Sequence, residues 1–268
     1  MKFNGVEESS SQGKRLTQTG CSFAYTDAAT ITMTPDGMDG FASIVTVNQG
    51  GKINTVTVRG SLTCALTTSG AGGLDTGSEA SDKGYYVFLI TKPYGRVPKL
   101  LCSLSDTSPT MPAGYPFRSD PIWFISNNGD GDIRNFVETN GTCYYITSTV
   151  ILNTGVAYSD WTLVDASVLV PNNSRAFLHS FARNKNTNDW NSIRVHFNDD
   201  DTADSTFRTM MHNNVIRHTN GAPGSQQQWE HGFLDAEEGL YYKWQNNPGS
   251  GGSYPAQFHI WCRGWTLS

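Results

Sequence analysis

An all-β chain is predicted, on three observations. Short runs rich in Val, Ile, Thr and aromatic residues recur between clusters of Gly, Asn, Asp and Pro, at the intervals usual for sandwiches and barrels. No helical periodicity persists over three turns in the first half. Charged residues make up only 16%, whereas the chain carries 7 Trp, 11 Tyr and 13 Phe, a balance that suits pleated layers and excludes a disordered chain. The expected form is two β-sandwich, jelly-roll-like domains preceded by an extended N-terminal arm. At 268 residues each domain is long enough to bury a core of its own.

The arm is residues 1–20, polar and without periodicity around Ser9-Ser10-Ser11-Gln12-Gly13-Lys14-Arg15. Two readings of it stand together, a loose terminus and a segment that orders on a neighbouring subunit. From Cys21 the strand grammar begins. Ala29 to Met33 and Phe41 to Val47 bracket a turn at Pro35-Asp36-Gly37, and Asn48-Gln49-Gly50-Gly51 makes the next turn. Val45 and Val47 alternate with Thr46 and Asn48, and Val56 and Val58 with Thr55, Thr57 and Arg59, which predicts one apolar and one polar face. Further strands are expected at 85–92, 97–104, 122–126, 133–138 and 144–152. Turn residues from Asn153 to Asp160 mark the expected domain boundary, giving domains at 21–155 and 156–268. The second is expected to be lectin-like or to serve oligomerisation. Its strands are expected at 163–170, 175–183, 192–198, 206–212, 240–245 and 257–267, with polar loops between them and a single helical turn at Asp235-Ala236-Glu237-Glu238. In the last strand Phe258, Ile260 and Cys262 oppose His259, Trp261 and Arg263, so Trp261 falls on the polar side. That suggests a covered surface, a sugar platform, or a bulge that turns the indole inward.

The densest pattern runs from Gly72 to Tyr115. Gly72-Gly73-Leu74-Asp75-Thr76-Gly77-Ser78 reads as a rigid turn, because the glycines permit positive φ and Asp75 can bond its own backbone. Tyr85-Tyr86-Val87-Phe88-Leu89-Ile90 follows without polar alternation, as in a strand buried on both faces or covered by a neighbour. In Ser108-Pro109-Thr110-Met111-Pro112-Ala113-Gly114-Tyr115, each proline removes a backbone donor and ends the pairing.

This succession of a GGLDTGS turn, a YYV strand and a PT-P-GY turn resembles a β-domain of tailed-bacteriophage virion proteins, of the tail-fibre, tail-associated, head-fibre or decoration type. The likeness continues through Ile122-Trp123-Phe124-Ile125 and Asn135-Phe136-Val137. It reaches Trp161 to Val170 and Pro171-Asn172-Asn173-Ser174-Arg175-Ala176-Phe177, so that it spans residues 21–180. It brings no catalytic motif. It implies a virion building block made in the host bacterial cytoplasm and assembled as a homo-oligomer, with a trimer favoured by analogy with phage fibres. The arm would contact other virion proteins.

Charge and cysteine content set limits. The formal charge of −5 disfavours general attraction to nucleic acid or anionic membrane. No apolar run approaches the roughly 20 residues of a membrane span, and Met1 to Gly20 lacks the apolar core of a secretion signal. Cys21, Cys64, Cys102, Cys143 and Cys262 are widely spaced and fit buried thiols better than a disulfide framework or a zinc site.

No catalytic residue, cofactor site or metal site is assigned. The histidines at 179, 196, 212, 218, 231 and 259 form no H-E-x-x-H or zinc pattern. Glu230-His231 with Asp235, Glu237 and Glu238 is the densest ionisable group, and reads as a solvated loop. Gly77-Ser78 lacks the G-x-S-x-G elbow, and glycoside hydrolysis stays open only because its two carboxylates need not be close in sequence. Asn128-Gly129-Asp130-Gly131-Asp132 starts like a calcium loop, but Ile133 replaces the turn glycine and the closing glutamate is missing. It reads as turn chemistry, as does Asp199-Asp200-Asp201 with Asp204.

Two sets of side chains are candidates for contact. Trp190, Trp229 and Tyr241 lie in polar settings where an exposed ring can stack on a sugar, which makes host surface polysaccharide a candidate partner. Tyr85, Tyr86, Phe88 and Trp261 are candidates for the subunit interface. The expected function is a non-enzymatic structural component of a tailed-phage virion, foremost a tail-fibre or tail-associated adsorption protein. The alternatives are a capsid decoration or head-fibre protein, and a spike that binds or degrades polysaccharide.

Overall fold

The computed structural model describes residues 20–37, 39–154, 162–172, 174–184, 193–198, 225–234, 240–246 and 256–267. The arm's residues 1–19, Trp190, the expected strand at 206–212 and the expected helical turn at 235–238 lie outside them. The chain is all-β, built of antiparallel sheets. Strands β1 (Cys21–Asp27), β2 (Thr30–Pro35), β3 (Ala42–Asn48), β4 (Ile53–Val58), β5 (Leu62–Ala65), β6 (Gly84–Lys92), β7 (Arg96–Ser103), β8 (Phe117–Arg118) and β9 (Trp123–Ser126) come first. They are followed by β10 (Phe136–Thr139), β11 (Thr142–Thr154), β12 (Thr162–Val164), β13 (Ser174–Asn184), β14 (Ile193–Asn198), β15 (Ser225–Leu234), β16 (Leu240–Asn246) and β17 (Ala256–Leu267).

These strands make four sheets, in the orders β1-β2-β5, β4-β3-β8-β6-β7 with β9 also on β6, β10-β11-β17-β13-β15, and β12-β16-β14. Strand β6 is central because its sequence demands it. Tyr85 to Thr91 are all buried, β7 pairs along one edge, and β8 and β9 share the other. A seven-residue run with no exposed side chain must be covered on both faces. The candidates Tyr85, Tyr86 and Phe88, exposed by only 2%, 8% and 0%, are therefore enclosed by the chain's own core and leave no surface for a second subunit.

The expected boundary at 155 does not divide two cores. Strands β10 and β11 precede it, yet they share a sheet with β17, β13 and β15, which follow it. Trp265 of β17 is fully buried, with its ring 4.7 Å from Trp123 of β9 and 6.2 Å from Phe124. Phe23 of β1 stacks on Trp123 at 4.8 Å, so three of the sheets meet around that indole. Aromatic rings at such distances contribute beyond their buried area.

Two further expectations are corrected. In β3 the buried face is Ala42, Ile44 and Thr46, while Val45 and Val47 are exposed. Ile44 sits opposite Val56 and Ala42 opposite Val58, and cross-strand partners must share a face. The run 163–170 is a strand only to Val164, then a turn in which the amides of Leu169 and Val170 donate to the Ala166 carbonyl. Strands β1, β5, β8 and β15 fall outside the runs expected as strands.

Candidate functional site

The residues that carry the sequence pattern close on one another. The Asp75 carboxylate accepts from the Thr76 amide at 2.8 Å, the Ser103 hydroxyl at 2.9 Å and the Thr110 amide at 2.9 Å. The turn at 72–78 is thereby tied to the end of β7 and to the proline-rich loop at 108–115. Backbone bonds complete the lattice: Gly72 donates to Leu100, Cys102 to Gly73, and Asp75 to Cys102. Gly72 and Gly77 have φ of +98° and +75°, and a Cβ on Gly73 would lie 2.2 Å from the Thr68 carbonyl oxygen. The later piece joins the same unit. The Asn172 amide donates to the Tyr86 hydroxyl, and its side chain to Asp106. These polar groups are spent on holding turns.

One apolar surface left open among the described residues lies on the outer face of the five-stranded sheet. Tyr144 of β11 and Phe177 of β13 both sit opposite Gly264 of β17 in register. With no side chain between them, the two rings stack across β17 at 5.4 Å and 12°. Gly264 is required there, since its φ is +149° and a Cβ would come within 2.0 Å of the Cys143 carbonyl oxygen. Val137 pairs with Tyr144, and these two are 50% and 46% exposed. Ile146 and Val150 are also exposed. Val150 sits opposite Trp261, whose ring stacks on His259 at 5.4 Å.

Trp261 thus belongs to this face, half-buried, while Ile260 and Cys262 point into the core as the alternation predicts. A register shift near Arg263 then reverses the parity and turns Trp265 inward. Of the glycan candidates, Trp190 lies outside the described residues and the other two lie in different strands. The backbone of Trp229 lies in β15 opposite His179, which is opposite Trp261, whereas Tyr241 lies in β16 of another sheet, opposite Leu163 and Asn198. The sequence missed Tyr144 and Phe177, although their alternation with Cys143, Tyr145 and Ala176 was available as a signal.

The ionisable groups singled out in the sequence form no common site among the described residues. Glu230 and His231 lie in β15 opposite Leu178 and Phe177, so they are strand residues and not a loop. No group of three or more acidic, histidine or cysteine side chains suited to a metal occurs among the described residues. In the 128–132 loop the Asn128 side chain accepts from the amides of Asp130 and Asp132, which is turn chemistry. Beside it, burial and then the charge of Asp132 raise the Glu79 carboxyl above its ordinary value, against a bond from the Asn127 amide group. Arg134 pairs with Asp82 at 3.4 Å. Four cysteines are buried, and burial pushes the Cys262 thiol up to about 12.

No family model matches the chain, and no curated protein matches it. Among solved structures, one described as "Structural basis for the promiscuous specificity of the carbohydrate-binding modules from the beta-sandwich super family" aligns at 10% identity over 94% of this chain and 92% of that chain. Its TM-score is 0.15, at which the likeness carries no argument.

Proposed function

We propose that this chain is a non-enzymatic structural protein of a tailed-phage virion, foremost a tail-fibre or tail-associated adsorption protein that works as a homo-oligomer. The observation that supports this reading is the sequence pattern from Gly72 to Tyr115, which resembles phage virion β-domains and whose two turns Asp75 ties together. The aromatic and aliphatic face around Tyr144, Phe177 and Val150 is where a second copy would pack, because covering exposed apolar side chains is favourable.

Immunogold labelling of particles of the phage that encodes the chain tests this. Label on the tail is expected. Label on the head assigns the decoration or head-fibre alternative, and particles without label overturn the virion reading. The stacked Tyr144–Phe177 pair also favours a second reading, in which the open face binds a host surface polysaccharide through the apolar faces of its sugar rings. Binding of purified protein to host polysaccharide, lost in Tyr144→Ala, supports it. Release of oligosaccharides during that incubation would instead mark a depolymerase.

A further inference from the structure

We propose that Cys64 and Cys102 are a site of covalent cross-linking, joining β5 to β7 through a disulfide when the chain meets a peroxide. Their sulfurs lie 2.8 Å apart. Carbon atoms in contact rest about 3.5–4 Å apart and sulfur is no smaller, whereas a disulfide bond is about 2.05 Å. The pair is thus held well inside ordinary contact, and under about 1 Å of further approach closes the bond. Both side chains are fully buried and face each other from different sheets, so neither can rotate away into solvent.

The surroundings accept the change. The Cys64 thiol donates to the Gly73 carbonyl at 3.4 Å, and the same carbonyl accepts the Cys102 amide at 2.9 Å. Losing the thiol proton therefore leaves no buried acceptor without a partner. The new bond would lie beneath the 72–78 turn, pinning the segment that Asp75 already ties to the proline-rich loop. The chemistry balances with one peroxide. One thiol is oxidised to a sulfenic acid as the O–O bond breaks and a first water leaves; the second sulfur then displaces the hydroxyl, forming S–S and releasing a second water. Burial, and then the neighbouring Cys64 thiol, raise the Cys102 thiol well above its ordinary value, so the reaction is slow in the closed core and fast while the chain folds or opens.

The test uses the full chain, purified reduced, and exposed to hydrogen peroxide both when folded and during refolding from denaturant. The protein is then denatured, alkylated with iodoacetamide and digested with trypsin for mass spectrometry. The expected product joins the peptides 60–83 and 100–118, each with one cysteine, at two hydrogens less than their sum, and it disappears on reduction. The parent's thermal midpoint should rise by roughly 5 °C or more on oxidation, and the Cys64→Ala/Cys102→Ala double variant should not respond. Full alkylation of both cysteines after both treatments, or links confined to Cys21, Cys143 and Cys262, overturns the proposal.

Discussion

Asp75 shows how one carboxylate can hold a loop system. It accepts hydrogen bonds from Thr76 in its own turn and from two segments distant in sequence, so Asp75→Ala leaves the Thr110 amide and the Ser103 hydroxyl to find water. Its expected cost is about 2 kcal/mol, read from equilibrium denaturation with a two-state fit. A loss within experimental error would show that the turns hold without it. Gly264→Ala should cost more than about 2 kcal/mol, since strain and a clash with backbone combine. The pH dependence of Glu79 has a definite sign. Its folded pKa is raised, so ionisation is penalised in the folded protein above that value, and the penalty vanishes as pH falls through it toward the unfolded pKa. Glu79→Gln should therefore be slightly more stable than the parent at neutral pH, by only tenths of a kcal/mol because the group is largely solvated. That advantage should shrink in acid, and thermal melts across pH would refute it by showing a growing one.

At the scale of elements, β6 and β17 organise the molecule in different ways. Strand β6 was legible because seven consecutive apolar or β-branched residues admit no exposed face. Strand β17 was legible as a strand, and its alternation placed Ile260 and Cys262 inward, but nothing local announced that it inserts between β11 and β13. Its partner β11 lies more than a hundred residues earlier, as Thr142 opposite Thr266 shows. A chain ending at residue 155 would thus lose Trp265, Ile260 and the strand that satisfies one edge of β11. It is expected to be insoluble or to lack the near-ultraviolet circular dichroism of packed tryptophans, whereas a soluble, cooperatively melting fragment would restore the two-domain division. Strands β1, β5 and β8 carry no local strand signal, for a related reason. They are short or polar, and they are strands because a neighbour supplies their hydrogen bonds.

For the whole molecule, the apolar surface left uncovered decides what to test. Tyr144, Ile146, Val150 and Val137 are each about half exposed on one sheet, an arrangement that an isolated soluble chain gains nothing from keeping. If copies of the chain pack through this face, sedimentation should give a mass above that of one chain, and Tyr144→Lys should lower it while leaving the fold intact. A parent that stays monomeric at high concentration would exclude the face as a subunit contact. From its residues alone, the chain determined that it is all-β, that Tyr85 to Ile90 is an enclosed strand, and that the turns at 72–78 and 108–115 are rigid, because these follow from propensity, alternation and the conformations open to glycine and proline. Tertiary structure decided which turns meet through Asp75, which side chains of β3 face inward, and which aromatic rings remain open. Those outcomes depend on pairing between distant strands, which no local pattern encodes.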